Sequence, residues 1–167
     1  TRVCRIERDG ELVYRAPTGA ADPEITPEQI SRALNLRTIY AFADTISAAD
    51  DLHRIRQAIE INGRIAQLGA EGDYGLNIGG QIRADQRMDW MSSDLVTNAV
   101  AETASGADAR MAGANSPVVT NSGSGNQGIT ATVPILSAGR ALGIPEDRQF
   151  RAVTLSHLIA IHIHAGV

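Results

Sequence analysis

Lysine is absent from the 167 residues; all fifteen basic side chains are arginine. A Schiff-base lysine and the phosphate-gripping lysine of a Walker loop are therefore excluded within this chain. Cysteine is reduced to Cys4, which allows no internal disulfide and cannot by itself hold a metal cluster. Positive charge is not in excess, because nineteen acidic residues leave a net charge of -4. Neither nucleic acid nor an anionic membrane is an expected partner. No apolar run approaches membrane-spanning length, and the opening TRVCRIERDG is not a signal peptide, so the expectation is a soluble, cytoplasmic protein. With 43% hydrophobic residues, the chain has enough apolar material for one domain with a core and is short for two.

The first residues read as β-structure. RVCRIERDGELVYR alternates around an Asp-Gly pair, a strong hairpin signal, with strands expected at about residues 2–8 and 11–16. A lone hairpin is marginal in water, so residues 1–24 are expected to form a hairpin and connector at the edge of a missing α/β part. Residues 25–167 are expected to be helical. Thr26, Pro27 and Gln29 make a capping box, and Leu36, Ile39, Tyr40, Ala43 and Ile46 recur at helical spacing. Leu52, Ile55, Ile59, Ile65 and Leu68 fall near one stripe of a helix that ends near GAEGDYG. YGLNIGGQ reads as a loop opening a helix near Gln81, and a further helix is expected at about residues 93–105. ITATVPILSAGRALG is helical in pattern, with Pro134 expected to kink or interrupt it. The last segment, from Pro145 to Ile163, is apolar nearly all round and expects burial. The expected class is mainly α with a small N-terminal β-hairpin, α+β, its helical core packed around glycine-rich loops. The sequence reads as an internal fragment of a larger enzyme.

The stretch that stands out is NSGSGNQG, Asn121 to Gly128, lying between SPVV and ITATVPIL. A glycine-rich turn feeding a helix points backbone N–H groups at one spot, where the helix start adds partial positive charge. Ser122, Ser124 and Asn126 would add neutral donors, and neutral donors without lysine favour a carboxylate over a polyphosphate. A flexible surface loop is the bland alternative, but the apolar flanks argue for partial burial. The candidate binding set is Asn121, Ser122, Gly123, Ser124, Gly125, Asn126, Gln127 and Gly128, with Asn77, Arg110 and His157 as neighbours. Tyr74 could also serve a small polar ligand, whereas a helix stop is the plainer reading of its GDYGLNIGG loop. Arg110 could clamp a carboxylate or simply sit in a surface salt bridge. His162 and His164 diverge by roughly 200° on a helix and do not chelate together. His157 reads as a buried, hydrogen-bonded core histidine rather than a ligand, and Cys4 as a packed residue. No catalytic residue, paired-carboxylate motif or metal site is assigned.

Taken in order, YGLNIG, GADARMAG, PVVTNSGSGNQGITATVPIL and LSHLIAIHI resemble the L-cysteine desulfidase family, relatives of the catalytic alpha part of iron-sulfur-dependent L-serine dehydratases. The resemblance covers essentially the whole chain, and the glycine loop with QGITATVPI is its most specific piece. It implies a lyase that uses a 4Fe-4S cluster as a Lewis acid to remove sulfide from L-cysteine or water from L-serine, giving pyruvate and ammonia. Asn121 to Gly128 then resembles the part that grips the substrate carboxylate. In that family the cluster cysteines lie beyond a GIGRLSALCGC-like segment, where this sequence stops, and Cys4 matches none of them. The expectation is a substrate-binding segment, inactive and without a cluster by itself, whose partners are the small amino acid and the missing parts of the same enzyme. Homo-oligomerisation stays open. The alternatives are a non-catalytic small-anion-binding module and a purely structural fragment.

Overall fold

A computed structural model describes residues 5–8, 11–15 and 26–165. Cys4, the hairpin turn at residues 9–10, the connector after Arg15 and the last two residues lie outside the described residues. Two compact units divide at Ile30/Ser31. In the first, β1 (Arg5–Arg8) pairs antiparallel with β2 (Glu11–Arg15), Arg5 opposite Arg15, with an irregularity in register between Ile6 and Glu7.

The boundary falls inside α1 (Pro27–Ala33). At the start of α1 the Thr26 N–H donates to Gln29 Oε1, and the Gln29 N–H donates to Thr26 Oγ1, the reciprocal capping box. Next come α2 (Leu36–Thr45), α3 (His53–Gln57), a π-helical turn (Ala58–Asn62), α4 (Gly63–Glu71), α5 (Ile78–Arg87), α6 (Leu95–Met111), α7 (Gly125–Ala141) and α8 (Glu146–Ala165). The stripe from Leu52 to Leu68 thus becomes α3, the π turn and α4 in continuous succession. The π turn adds one residue per turn, and it is there that the polar Asn62 enters the buried face.

The expected α+β class is corrected to all-α. The described residues of the helical unit contain no strand, and a two-stranded ladder of four and five residues in the other unit is too small to act as a sheet layer. The helical unit closes its core helix on helix instead. Ile65 and Ala66 of α4, Ala109 of α6, and Ile129 and Val133 of α7 form the buried cluster, with Tyr74, Ala114 and Val118 packed against it. Small residues let the backbones approach. A Cβ on Gly69 would overlap the Ser105 carbonyl, one on Gly79 would overlap Ser105 Oγ, and one on Gly106 would come within 3.2 Å of Ala66 Cα.

Three local expectations also change. Helix α5 starts at Ile78 rather than near Gln81, because Asn77 takes a left-handed conformation (φ 48°) and its side chain caps the Gly80 N–H. Helix α6 runs to Met111, well past residue 105. Helix α7 continues through Pro134 without interruption. Thr130, whose carbonyl loses its partner to the proline, is exposed, so solvent can satisfy it. Helix α8 is less buried than its composition suggests. Phe150, Val153, Thr154 and His157 are buried, while Ile163 is 61% exposed.

Candidate functional site

The quoted glycine-rich stretch is not a loop of eight residues. Asn121 and Ser124 exchange both backbone hydrogen bonds (3.0 and 2.9 Å), which leaves only Ser122 and Gly123 between them. Both have positive φ, 47° and 82°, as a type I′ turn requires. Helix α7 begins immediately afterwards. Ser124 is its N-cap, and Ser124 Oγ accepts from the Gln127 N–H at 3.3 Å. The N–H groups of Gly125 and Asn126 precede the first intrahelical bond and have no partner within the helix.

Gly125 and Gly128 act differently from what their sequence suggests. They do not loosen a loop; they sit on one side of the first turn of α7 and let it press against neighbours. A Cβ on Gly128 would overlap the Val119 carbonyl oxygen, and one on Gly125 would overlap the Arg110 guanidinium and lie 2.9 Å from Val118 Cγ2. Arg110, from the last turn of α6, is thereby laid over the start of α7, where its Nη1 donates to Asn126 Oδ1 at 3.1 Å.

Behind the turn lies a buried polar network. Asn121 is 3% exposed, and its amide is fully used. Its Nδ2 donates to the His157 carbonyl and to His157 Nδ1, both at 3.1 Å, and its Oδ1 accepts from Ser122 Oγ (2.9 Å) and Gln127 Nε2 (3.2 Å). On the other side of the imidazole, Nε2 lies 2.9 Å from Thr132 Oγ1. Thr132 donates its hydroxyl proton to the Gly128 carbonyl at 2.8 Å, so its oxygen accepts from His157 Nε2–H and, at 3.3 Å, from Asn62 Nδ2. These partners assign His157 as the neutral Nε2–H tautomer, with Nδ1 the acceptor. Burial of the ring pushes its pKa below the ordinary 6.5. A second ring proton would also face the Asn121 amide donor.

Asn62 completes the set. It is fully buried, accepts the Val119 N–H at 2.9 Å and donates to the Val119 carbonyl at 3.1 Å. The π turn, the segment before the turn, α7 and α8 are joined through four uncharged side chains. Neither Asn62 nor Thr132 stands out in the sequence reading. The available signal was a polar residue on an apolar stripe, Asn62 between Ile59 and Ile65.

The structure gathers part of the expected set. Asn121, Gly125 and Gly128 are buried, Asn126 and Gln127 are half-buried, and Ser122, Gly123 and Ser124 are exposed. His157 and Arg110 reach the turn. Asn77 instead makes its hydrogen bonds within its own turn, to Asp73 Oδ1 and the Gly80 N–H. Gln127 also lines an apolar groove between α7 and α8, with Ile135, Leu155 and Ile159 among its walls. Among the described residues, no group of three or more His, Cys, Asp or Glu could hold a metal ion.

The sequence matches the serine dehydratase alpha chain family over residues 20–167. This chain belongs to that family. Among similar proteins, a UPF0597 protein of Dichelobacter nodosus is 38% identical over 165 residues, which is 99% of this chain and 38% of that protein. A UPF0597 protein of Actinobacillus pleuropneumoniae is 40% identical over the same shares. The UPF0597 protein PPA0217 of Cutibacterium acnes is 38% identical across the whole of this chain and 47% of its own length. The chain therefore spans less than half the length of these relatives. No solved structure matches it. No helix among the described residues is long and apolar enough to cross a membrane.

Proposed function

We propose that this chain is the substrate-binding segment of an iron-sulfur-dependent lyase that eliminates sulfide from L-cysteine or water from L-serine. The observation that carries the reading is the start of α7. There the N–H groups of Gly125 and Asn126, unpaired within the helix, the Ser124 hydroxyl, and the Arg110 guanidinium held on Asn126 lie at one helix N-terminus. A carboxylate is the small anion that suits neutral donors and one planar cation. Asn121, His157, Thr132 and Asn62 are positioning residues, because every polar atom they carry is already engaged inside the protein.

The reaction removes the Cα proton, breaks the bond from Cβ to the departing sulfur or oxygen, and leaves aminoacrylate, which water converts to pyruvate and ammonia. Lewis-acid assistance to the departing group is what a 4Fe-4S cluster would supply. The chain does not fit such a cluster, since Cys4 is its single cysteine and three or four thiolates are needed. The cluster ligands, in this reading, come from parts of the enzyme beyond these residues, and no residue here is assigned as the base. Cytoplasmic location and association with those parts belong to the same proposal.

Calorimetric titration of the protein with L-cysteine, L-serine and inorganic phosphate tests it. The expected result is binding of at least one amino acid, weakened about tenfold by Asn126→Ala, which removes the anchor of Arg110. Phosphate binding without any amino-acid response would instead identify a non-catalytic anion-binding module.

A further inference from the structure

A second cleft, between α4, α5, α6 and α7, has a floor of Ile59, Ala66, Val133 and Leu136. Ile59 is supplied by the π turn, a widened backbone often found at functional sites. The rim carries Arg64, Arg83, Arg140, Glu60 and Glu102. Arg64 and Glu60 satisfy each other at 2.8 Å. The remaining three do not balance. Arg140 donates to Glu102 Oε2, while Arg83 Nη2 stands 4.0 Å from Glu102 Oε1, an ion-pair distance too long for a hydrogen bond. Two guanidiniums share one carboxylate, and the Arg83 Nε–H is buried without an acceptor. Nε is closed to solvent, so Arg83 meets the cleft with its terminal nitrogens, of which Nη2 is only loosely paired with Glu102.

We infer that this cleft binds a small monocarboxylate with a compact apolar body. Its carboxylate pairs with the terminal nitrogens of Arg83, a side chain 34% exposed at the cleft rim, and its carbon chain lies on Ile59, Ala66, Val133 and Leu136. One surplus positive charge suits a monoanion better than phosphate, whose second charge would meet Glu102. An apolar floor gives nothing to a fully hydrated ion. The planar fork of arginine matches a carboxylate. The site is separate from the turn at the start of α7, because Leu136 lies about 16 Å along the helix from Gly125. It stands whether or not the turn binds an amino acid.

Titration of the purified protein with butyrate and with inorganic phosphate, followed by calorimetry or amide NMR shifts, tests the inference. Butyrate is expected to bind more tightly than phosphate and to shift amides of α4 and α5. Arg83→Gln should weaken butyrate at least tenfold. Arg140→Gln, at an exposed position, should weaken it severalfold by freeing Glu102 to neutralise Arg83. Asn126→Ala should leave it unchanged. The inference is overturned if folded wild-type protein shows no butyrate response, if phosphate binds more tightly, or if Asn126→Ala rather than Arg83→Gln abolishes binding. Should Arg83→Gln not fold, unchanged butyrate affinity in Arg140→Gln overturns it equally.

Discussion

Asn62 binds both backbone polar groups of Val119, accepting its N–H at 2.9 Å and donating to its carbonyl at 3.1 Å. A side chain thus does the work of a neighbouring strand for the segment that enters the Asn121 turn. Truncation in Asn62→Ala leaves both groups of Val119 without partners in a part-buried setting. The expected loss is about 2 to 4 kcal/mol in chemical denaturation. A loss below about 1 kcal/mol would mean that water replaces the side chain without penalty.

His157 gives the protein a pH dependence of definite sign. Its folded pKa lies below the ordinary 6.5 because burial penalises the charged ring. The unfolded chain therefore takes up the proton first as pH falls. The stability held by the neutral ring is complete above about pH 6.5 and is lost as pH drops from there toward the folded pKa. Denaturant melts of wild type and His157→Gln at about pH 8 and pH 5 should show the gap between them narrowing on acidification. A constant or widening gap contradicts the neutral assignment.

Two glycines of α7 should respond unequally to alanine. Replacing glycine within a helix ordinarily gains about 1 kcal/mol. At Gly128 the new methyl would overlap the Val119 carbonyl, which is backbone and cannot yield without moving the turn. Gly128→Ala should lose about 1 to 3 kcal/mol. At Gly139 the methyl's nearest neighbours are side-chain atoms of Gln149, which can move at the cost of the bond from its Nε2 to the Ile144 carbonyl, a loss about offset by the helix gain. Gly139→Ala should fall within about 1 kcal/mol of wild type. Equal melting temperatures for the two variants would remove the distinction.

Pro134 lies inside a continuous helix, so its missing N–H is a deficit with no boundary to mark. Pro134→Ala restores the bond to Thr130 and should stabilise the protein by about 1 to 2 kcal/mol. A lower melting temperature would show instead that the ring's packing between α6 and α7 outweighs the bond, since Pro134 also lines the groove there.

Helix existence could be read from the chain wherever local rules act alone. The Thr26 to Gln29 capping box needs only neighbours in sequence, and Ile39, Ala43 and Ile46 mark a buried stripe by spacing. The spacing misplaced Tyr40, which is 53% exposed, because a period cannot say how wide the covering neighbour is. The α+β expectation failed for a related reason. Local alternation says where a ladder can form, but whether strands become a layer of the fold depends on what the helices need to cover. At the candidate site, Asn121, Arg110 and His157 were legible as residue types, while Asn62 and Thr132 were not.

The sequence by itself determined the absences: no lysine, a single cysteine, a run of small uncharged residues before a helix, and with them the chemistries this chain can and cannot carry alone. Tertiary structure decided which of those small residues bind and which merely fit. Gly125 and Gly128 became packing surfaces, and Asn121 turned inward to His157, 36 positions away. The reason is physical. A buried amide must find partners, and those partners are chosen by which helices press together rather than by which residues follow one another.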